Sequence, residues 1–390
     1  MKIAQIAPLY ESCPPRLYGG TERVVSYLTD ELVRQGHDVT LFASGDSRTS
    51  ARLVPFCDTA LRLDSRIRDA IPPHIVMLDR VRACADEFDV LHFHVDVLHY
   101  PLIRSFADRT VTTLHGRQDL PELKDVYTTF PHIPLVSIST DQRRPMPPVN
   151  WVGSVYHGLP RDLLPFNPAP KGGYLAFLGR ISPEKGPAHA IEIAARAGIK
   201  LKMAAKIDRV DGEYWDQVIR PIVDKNPNVE FVGEINEREK AGFLGDAAAL
   251  LFPIDWPEPF GMVMIEAMAC GTPVIAFPRG SVPEVIDEGV SGFLVDDVNE
   301  AVEAVKRLPH FDRVRARECF ERRFSIERVC HDYLGIYRDL PGVRRRTRSA
   351  PLDGFAVVAG VAKSRRAIKD ALRPQVAALQ LIGGEARPSD

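Results

Sequence analysis

The chain lacks several features that would assign it to a common class of protein. Its 390 residues contain no apolar run near the roughly 20 residues that a membrane-spanning helix needs. Fifty Lys and Arg stand against 52 Asp and Glu, and the net charge of -2 gives no general attraction to nucleic acid. The six cysteines include no C-x-x-C pair, and the first residues read as a strand instead of a signal peptide. We therefore expect a cytoplasmic protein without a spanning helix and without a nucleic-acid partner.

Motifs of several common enzyme classes are also missing. No G-x-G-x-x-G follows the first predicted strand and no G-x-x-x-x-G-K-[ST] occurs, which argues against a nicotinamide-dependent dehydrogenase and a P-loop kinase. The G-x-S-x-G elbow of many hydrolases is absent as well. His92, His94 and Asp96 alternate and His99 follows, but they lie where a strand leaves its sheet, and the chain has no Asp-x-Asp pair. We expect no metal site and no cofactor.

Apolar runs that alternate with helical patterns fill the first half of the chain. Lys2–Ala7 reads as a buried strand, Gly20–Gln35 as an amphipathic helix and Asp38–Phe42 as the next strand, with Gly36 where the helix should stop. Further strands are predicted at Asp89–His94, Thr110–Leu114, Pro134–Ile138 and Trp151–Tyr156. The spacing leaves room for helices between them and favours a parallel sheet covered on both faces.

Residues 145–148 and 160–170 are rich in proline, and the interval after the Trp151 strand reads as a linker. A second series follows. Its strands are predicted at Tyr174–Leu178, Ile199–Ala204, Asn228–Val232, Ala249–Phe252 and Pro273–Ala276, and its helices at Glu184–Ala197, Asp211–Asp224, Glu237–Gly245 and Gly261–Cys270. The sequence therefore predicts an α/β protein with two Rossmann-like domains, each built on a doubly wound parallel sheet. The domains are residues 1–165 and 166–325, and they are expected to face each other across a cleft. Ligands of such sheets bind beyond the carboxyl ends of the strands, which here border the cleft.

The remainder of the chain reads as helical and then changes in composition. Helical patterns are predicted at Asn299–Leu308, Phe311–Phe324 and Ile326–Asp339. We expect residues 326–340 to form a helix that packs near the junction of the two domains. Residues 341–390 form a basic, Ala-rich tail that contains the apolar run Phe355–Ala362. Peripheral contact with the anionic inner face of a membrane, packing on the core and disorder all remain open for this tail.

Two glutamates eight positions apart are the most informative local feature. Glu258 is expected in the loop after a strand, and Glu266 lies about two turns inside the helix that Gly261 opens. A helix start exposes unpaired N–H groups and the positive end of the helix dipole, which suits a phosphate. The pair is therefore predicted to bracket a phosphorylated ligand. The structural alternative is that Glu258 only caps the helix and Glu266 is a solvated surface charge.

Cations, glycines and a histidine at other strand ends point to the same cleft. Arg180 and Lys185 flank a turn that enters a helix, a pairing suited to neutralising a diphosphate. Gly19 and Gly20 follow the first strand and allow close approach of the backbone to a ligand. His115 follows another strand and is expected to donate to a ligand hydroxyl or to a developing charge. Ordinary surface charges, a flexible loop and a structural histidine are the alternatives.

The combined motifs resemble those of retaining family-four glycosyltransferases, which have the GT-B fold. The residues that carry the resemblance are Gly19-Gly20, His115, Gly179-Arg180 with Glu184-Lys185-Gly186, and Glu258-x7-Glu266. The most specific part runs from Pro257-Glu-Pro-Phe-Gly through Pro283-Glu-Val-Ile to Gly292-Phe-Leu-Val. The likeness extends over residues 1–338 and leaves the last part of the chain outside it.

This resemblance implies an enzyme that moves a sugar from a nucleotide-diphosphate sugar to a hydroxyl acceptor, with retention of configuration and without a metal. It implies catalytic roles for Glu258, His115, Arg180 and Lys185. The donor-binding residues that it implies are Gly19, Gly20, Arg180, Lys185, Lys206, Glu234, Ile235, Glu258, Phe260, Gly261, Met262, Val263 and Glu266. UDP is the favoured nucleotide and GDP the next, and the acceptor is a sugar, a lipid-linked molecule or a small molecule.

By the same likeness, Arg180 and Lys185 hold the diphosphate, Glu266 the ribose hydroxyls and Glu258 the hydroxyls of the sugar. The segment Val232–Ile235 would line the nucleobase. One departure is Lys206, which lies where many relatives have a glycine-rich turn, so that it either adds a third cation or replaces the turn. A nucleotide-sugar epimerase and a non-catalytic nucleotide-sugar-binding subunit remain open as alternatives.

Overall fold

The computed structural model describes residues 1–16 and 19–349, with side chains described up to residue 346. Its strands are β1 Lys2–Ile6, β2 Asp38–Ala43, β3 Arg52–Pro55, β4 Val90–Phe93, β5 Thr110–Thr113, β6 Leu135–Ser137, β7 Trp151–Ser154, β8 Tyr174–Arg180, β9 Lys200–Lys206, β10 Val229–Gly233, β11 Ala249–Phe252, β12 Val274–Ala276 and β13 Gly292–Leu294. Its helices are α1 Gly20–Arg34, α2 Ile71–Ala83, α3 Leu123–Thr129, α4 Pro187–Ala197, α5 Gly212–Tyr214, α6 Arg220–Lys225, α7 Glu237–Gly245, α8 Met262–Ala269, α9 Val282–Val285, α10 Val298–Arg307, α11 Arg313–Arg323, α12 Ile326–Asp339 and α13 Pro341–Ser349.

The strands form two parallel sheets. The first has the order β3-β2-β1-β4-β5-β6-β7 and the second the order β10-β9-β8-β11-β12-β13. Neighbouring strands run parallel throughout both sheets. In each sheet the strand order reverses beside a central strand, β1 in the first and β8 in the second. A doubly wound sheet opens a crevice at such a reversal, at the carboxyl ends of its strands.

Apolar strands explain why helices cover both faces of each sheet. Ile3, Ala4 and Ile6 in β1 are fully buried, and so is nearly all of β11. Strands buried on both faces need helices on both sides, and in the second sheet α4 and α10 pack together while α8 packs with α11. Helix α10 illustrates the pattern, because Ala301, Val302, Ala304 and Val305 are buried on a face otherwise edged by charged residues.

Helix α12 returns to the first sheet. Tyr333 and Tyr337 are buried in one apolar cluster with residues of β1, β4 and β5, and α12 contacts α1. Residues 1–346 form one compact unit. Below, "first lobe" denotes residues 1–165 and "second lobe" residues 166–325.

The predicted fold class is confirmed: both sheets are parallel and covered by helices. The strands β3 and β13 and the helices α2, α3, α9 and α13 were not predicted. The predicted helix Glu184–Ala197 is wrong in its first turn, where Pro183–Lys185 form a 3-10 turn and α4 begins only at Pro187. Gly186 causes the break with a φ of 68°, and a Cβ there would lie 2.0 Å from the carbonyl oxygen of Pro253.

Two further differences concern length and the chain end. The predicted helix Asp211–Asp224 is divided by a π turn, Trp215–Ile219, between α5 and α6. No helix in residues 1–16 and 19–349 combines the length and apolar character needed to cross a bilayer. The apolar run predicted at Phe355–Ala362 lies outside the described residues.

Candidate active site

A cavity of about 610 Å³ opens between the two lobes. Residues that follow strands of both sheets contribute to its wall, as expected for doubly wound sheets. Of the segment Val232–Ile235 only the last two residues line the cavity. The predicted catalytic and donor-binding residues all do: Gly19, Gly20, His115, Arg180, Lys185, Lys206, Glu234, Ile235, Glu258, Phe260, Gly261, Met262, Val263 and Glu266. The fold therefore gathers at one place residues that are scattered over most of the chain.

Glu258 lies in the loop between β11 and α8 and is held in place through both its backbone and its side chain. Its carbonyl oxygen accepts a hydrogen bond from the Ser281 N–H at 2.9 Å, and its carboxylate accepts from Lys185 and, at 3.0 Å, from Trp256 Nε1. A Cβ on Gly280 would lie 2.3 Å from the Glu258 nitrogen, so this close approach requires glycine. The alternative that Glu258 only caps a helix is wrong, because its carboxylate accepts from Lys185 and Trp256 and makes no capping hydrogen bond to α8.

Helix α8 starts directly at the cavity. Gly261 precedes it with a φ of 79°, and a Cβ there would lie 2.7 Å from Met264 Cε. No side chain in the described part of the chain caps this helix start, and Gly261, Met262 and Val263 all line the cavity. The Met264 N–H donates to the Gly261 carbonyl at 3.0 Å, and the N–H groups before it, with the positive end of the helix dipole, are available to an anion.

Glu266 is the most deeply buried charged residue of the cavity wall, with 1% of its surface exposed. Its Oε1 accepts from Arg23 Nη1 at 2.8 Å and from Lys240 Nζ at 2.7 Å. Burial alone would raise the pKa of Glu266, but Lys240 and Arg23 bring that pKa below its usual value, so the carboxylate is ionised. The alternative of a solvated surface charge is therefore wrong.

Arg180, at the end of β8, lies among carboxylates. It pairs with Glu184, its Nε lies 3.3 Å from Asp211 Oδ2, and its Nη1 lies 3.7 Å from Asp208 Oδ2. Lys206 Nζ lies 2.8 Å from the other oxygen of Asp208. A diphosphate at this edge of the cavity would have to displace ion pairs.

His115 follows β5 at the first-lobe edge of the cavity. Its Nε2 lies 2.8 Å from His94 Nδ1, and its ring stacks on that of His157 with 5.2 Å between centroids. Burial lowers the pKa of His115 to about 3, so the ring is neutral at pH 7. His115 is thus both anchored in the core and present in the cavity wall.

A buried hydrogen-bond chain leads from His115 into helix α12. His94 Nε2 lies 2.8 Å from Gln5 Oε1, Gln5 Nε2 donates to the Tyr337 hydroxyl at 3.3 Å, and that hydroxyl lies 2.7 Å from His92 Nδ1. His115 Nδ1 has no hydrogen-bond partner within the described residues. The single proton of the neutral ring therefore belongs on Nε2, where His94 can accept it, so Nδ1 offers a ligand hydroxyl an acceptor instead of the expected donor.

The alternating histidines that raised the question of a metal are used in packing. His92 and His94 bond to the groups named above, and the buried His99 stacks on Phe93 and lies 2.7 Å, Nε2 to Oγ1, from Thr112. Asp96 is exposed in the following loop, with a φ of 49°. Within residues 1–16 and 19–349, no three His, Cys, Asp or Glu side chains are grouped as a metal site requires.

Several cavity residues were not predicted, among them Arg23, His157, Lys240 and Trp256. Trp256 could have been found from its position two residues before Glu258. The capping box of Asn236 and Glu239 marks the start of α7 and so places Lys240 within its first turn or just beyond it. Arg23 and His157 carry no comparable local signal, because only the fold brings them to the cavity.

Two family models match the chain. The model for glycosyltransferase family 4 matches residues 18–148, in the first lobe. The model for glycosyl transferases group 1 matches residues 165–317 and nearly spans the second lobe. The two segments make up well over half of the chain and contain the lining residues of the cavity except His157. The chain belongs to the family-four glycosyltransferases.

Curated relatives resemble the chain at low identity. Alpha-maltose-1-phosphate synthase of Mycolicibacterium smegmatis is 32% identical over 184 residues, which are 42% of this chain and 47% of that protein. N-acetyl-alpha-D-glucosaminyl L-malate synthase of Bacillus anthracis is 24% identical over 379 residues, 84% of this chain and 96% of that protein. The alignments cover 46% and 47% of the lengths of the first two curated relatives, so the chain spans about half of these proteins.

Solved structures confirm the GT-B fold. A glycosyltransferase involved in avilamycin A biosynthesis aligns with a TM-score of 0.65 and 21% identity over 90% of this chain and 99% of that one. Sucrose-phosphate synthase from Thermosynechococcus elongatus aligns with a TM-score of 0.70 and 20% identity over 87% and 99%. At these identities the likeness concerns the fold alone.

Proposed function

We propose that the protein is a retaining hexosyltransferase that uses a nucleotide-diphosphate sugar and a hydroxyl acceptor. The observation that carries this proposal is the second-lobe wall of the cavity. There an uncapped helix start, Lys185 and two fixed glutamates, Glu258 and Glu266, surround one space. The helix start and Lys185 match the diphosphate of such a donor, Glu258 matches its sugar and Glu266 matches its ribose.

The diphosphate is assigned to Lys185, Arg180 and the start of α8. When the bond between the anomeric carbon and the diphosphate oxygen breaks, negative charge grows on the departing group. A fixed ammonium and oriented N–H groups stabilise that charge more in the transition state than in the ground state. The acceptor oxygen forms the new bond on the same face of the sugar, and its proton passes to the leaving diphosphate. No step of this scheme is routed through a metal.

The two glutamates are assigned different hydroxyls. Glu258 receives the hydroxyls of the sugar, because its carboxylate is already oriented by Lys185 and Trp256 at the cavity. Glu266 receives the ribose hydroxyls, because its Oε2 is buried and has no hydrogen-bond partner within the described residues. Glu234 and Ile235 are assigned to the nucleobase. His115 contacts the sugar from the first lobe.

The favoured nucleotide is UDP, with GDP next. Support comes from the Anabaena protein HepE, which has been solved in complex with UDP and aligns with a TM-score of 0.64 and 16% identity. The acceptor is a sugar, a lipid-linked molecule or a small molecule, and the loops of the first lobe would bind it.

A donor panel tests the function directly. The protein is incubated with UDP-, GDP- and ADP-sugars and a mixture of hydroxyl acceptors, and the anomeric configuration of each product is read by NMR. We expect transfer with the donor's configuration preserved. An inverted product would contradict retention, a changed sugar without transfer would favour the epimerase, and binding without turnover would favour a non-catalytic subunit.

A further inference from the structure

The carboxylate of Glu266 is held from both lobes. Arg23 Nη1, on α1 of the first lobe, lies 2.8 Å from Glu266 Oε1, and Lys240 Nζ, on α7 of the second lobe, lies 2.7 Å from the same oxygen. Arg23 Nη2 also pairs with Glu237 at 3.1 Å. The side chains of Arg23 and Glu266 are 14% and 1% exposed, so solvent screens their contact little.

The two oxygens of Glu266 have different surroundings. Oε1 accepts from both cations, whereas Oε2 is buried without a hydrogen-bond partner in the part of the chain that the structure describes. A buried carboxylate oxygen without a donor is unfavourable, and a ligand hydroxyl would relieve it. Because Arg23 and Lys240 fix Oε1, they also determine where Oε2 points.

We propose that Arg23 is a positioning residue of the nucleotide site, supplied by the opposite lobe. This inference rests on the proposed function, which gives the ribose hydroxyls to Glu266. Arg23 orients that carboxylate and, together with Lys240, keeps it ionised despite its burial. The affinity for nucleotide then depends on a first-lobe residue. By the reciprocity of linked equilibria, bound nucleotide strengthens the contact between the lobes.

A double-mutant cycle with UDP as the probe tests this inference. Isothermal titration compares the wild type with Arg23→Met, Glu266→Gln and the double variant. Methionine keeps part of the apolar stem and removes the charge. We expect Arg23→Met to weaken UDP binding about tenfold and Glu266→Gln to weaken it further. The double variant should bind like Glu266→Gln alone, because Arg23 acts through that carboxylate.

Two other variants separate this role from a general loss of charge or stability. Lys240→Met removes the second cation from the same oxygen and should also weaken UDP binding. Arg62→Met removes a first-lobe arginine that pairs with Glu11 at 3.3 Å, outside the cavity wall. Its UDP affinity should stay within about twofold of the wild type, and its effect should add to that of Glu266→Gln. Arg23→Lys should recover part of the lost affinity.

Donor kinetics provide a readout that a purely structural role would not change. We expect Arg23→Met to raise the KM for the donor while kcat falls much less. Two results would overturn this inference and leave the proposed function standing. One is a UDP affinity in Arg23→Met equal to that of the wild type, and the other is additive effects of Arg23→Met and Glu266→Gln on that affinity. A wild type that binds neither UDP, GDP nor ADP would overturn the proposed function and this inference together.

Discussion

The two walls of the cleft differ in charge. The second-lobe wall carries Lys185, Glu258 and Glu266 in direct ion pairs. The first-lobe wall carries His115 and His157, and burial lowers the pKa of both, to about 3 for His115. At pH 7 one wall is therefore ionic and the other contains neutral imidazoles.

This difference separates two tasks of a transferase. An ionic wall binds a diphosphate and stabilises the charge that grows on it during departure. A neutral wall can hydrogen-bond a sugar without attracting the diphosphate to the wrong side of the cleft. Arg23 and Arg117 are exceptions, because both are first-lobe cations in the cavity wall, and Arg23 reaches across to the ionic wall. Substitutions in each wall should therefore have effects of different kinds.

Removing the ammonium of the ionic wall should have the largest effect. Lys185→Met takes away the cation that contacts Glu258 and faces the assigned diphosphate. We expect kcat/KM for transfer to fall about 10²- to 10³-fold, as for the loss of one donor to a developing charge. The exposed Lys306→Met serves as control and should leave kcat/KM unchanged. A loss below tenfold in Lys185→Met would contradict the assignment.

Arg180→Ala should have a smaller effect on the same wall. Arg180 shares its charge with three carboxylates, whereas Lys185 contacts only the carboxylate of Glu258 among the described residues, so we expect Arg180 to contribute less to a diphosphate. We expect kcat/KM to fall about 10- to 100-fold, with little loss of thermal stability because one third of the side chain is exposed. Steady-state kinetics and a thermal melt of the same preparation check this. Undiminished activity would remove Arg180 from the site.

His115 tests the neutral wall. We expect His115→Ala to lower kcat/KM about tenfold through loss of one hydrogen bond to the sugar. The pKa of His115 is lowered to about 3, so His115 should not titrate near pH 6.5. The pH profiles of kcat/KM for the wild type and for His115→Ala should therefore have the same shape around pH 6.5. An inflection there that disappears in the variant would mean that the first-lobe wall becomes charged within the working range.

The pH dependence of the free energy of unfolding compares the buried neutral histidines of the first lobe with Glu266 of the second lobe. His99 is fully buried in the first lobe, and burial lowers its pKa from 6.5 to about 3. Below pH 6.5 the unfolded chain binds a proton that the folded protein does not. The contribution of the neutral His99 to the free energy of unfolding is therefore largest above pH 6.5, and it is lost as the pH falls toward 3. For Glu266, whose folded pKa lies below 4.5, the corresponding loss begins only below pH 4.5.

Chemical denaturation at several pH values measures this contribution. In the wild type, a buried neutral histidine such as His99 should add about 1.4 kcal/mol per pH unit to the slope of the free energy of unfolding against pH, at pH values well below 6.5. His99→Gln should reduce the slope by that amount. An unchanged slope in His99→Gln would mean that this ring is protonated in the folded protein.

The sequence was most informative where the structure is local. Glu258, Gly261 and the start of α8 were predicted because a few consecutive residues determine that loop and helix. The break at Gly186 was not, because the contact that requires it comes from Pro253 in a distant loop. The pairing of Arg23 with Glu266 joins residues 243 positions apart on different lobes, and no pattern within either segment indicates it.

The central claim is that the ionic wall of the second lobe binds a diphosphate, and comparing UDP with uridine tests it most directly. Isothermal titration measures both ligands against the wild type and against Lys185→Met. We expect the wild type to bind UDP at least about 100-fold more tightly than uridine, and this preference to shrink by about tenfold or more in the variant. Equal affinities for UDP and uridine in the wild type, or a preference that survives intact in Lys185→Met, would contradict the claim.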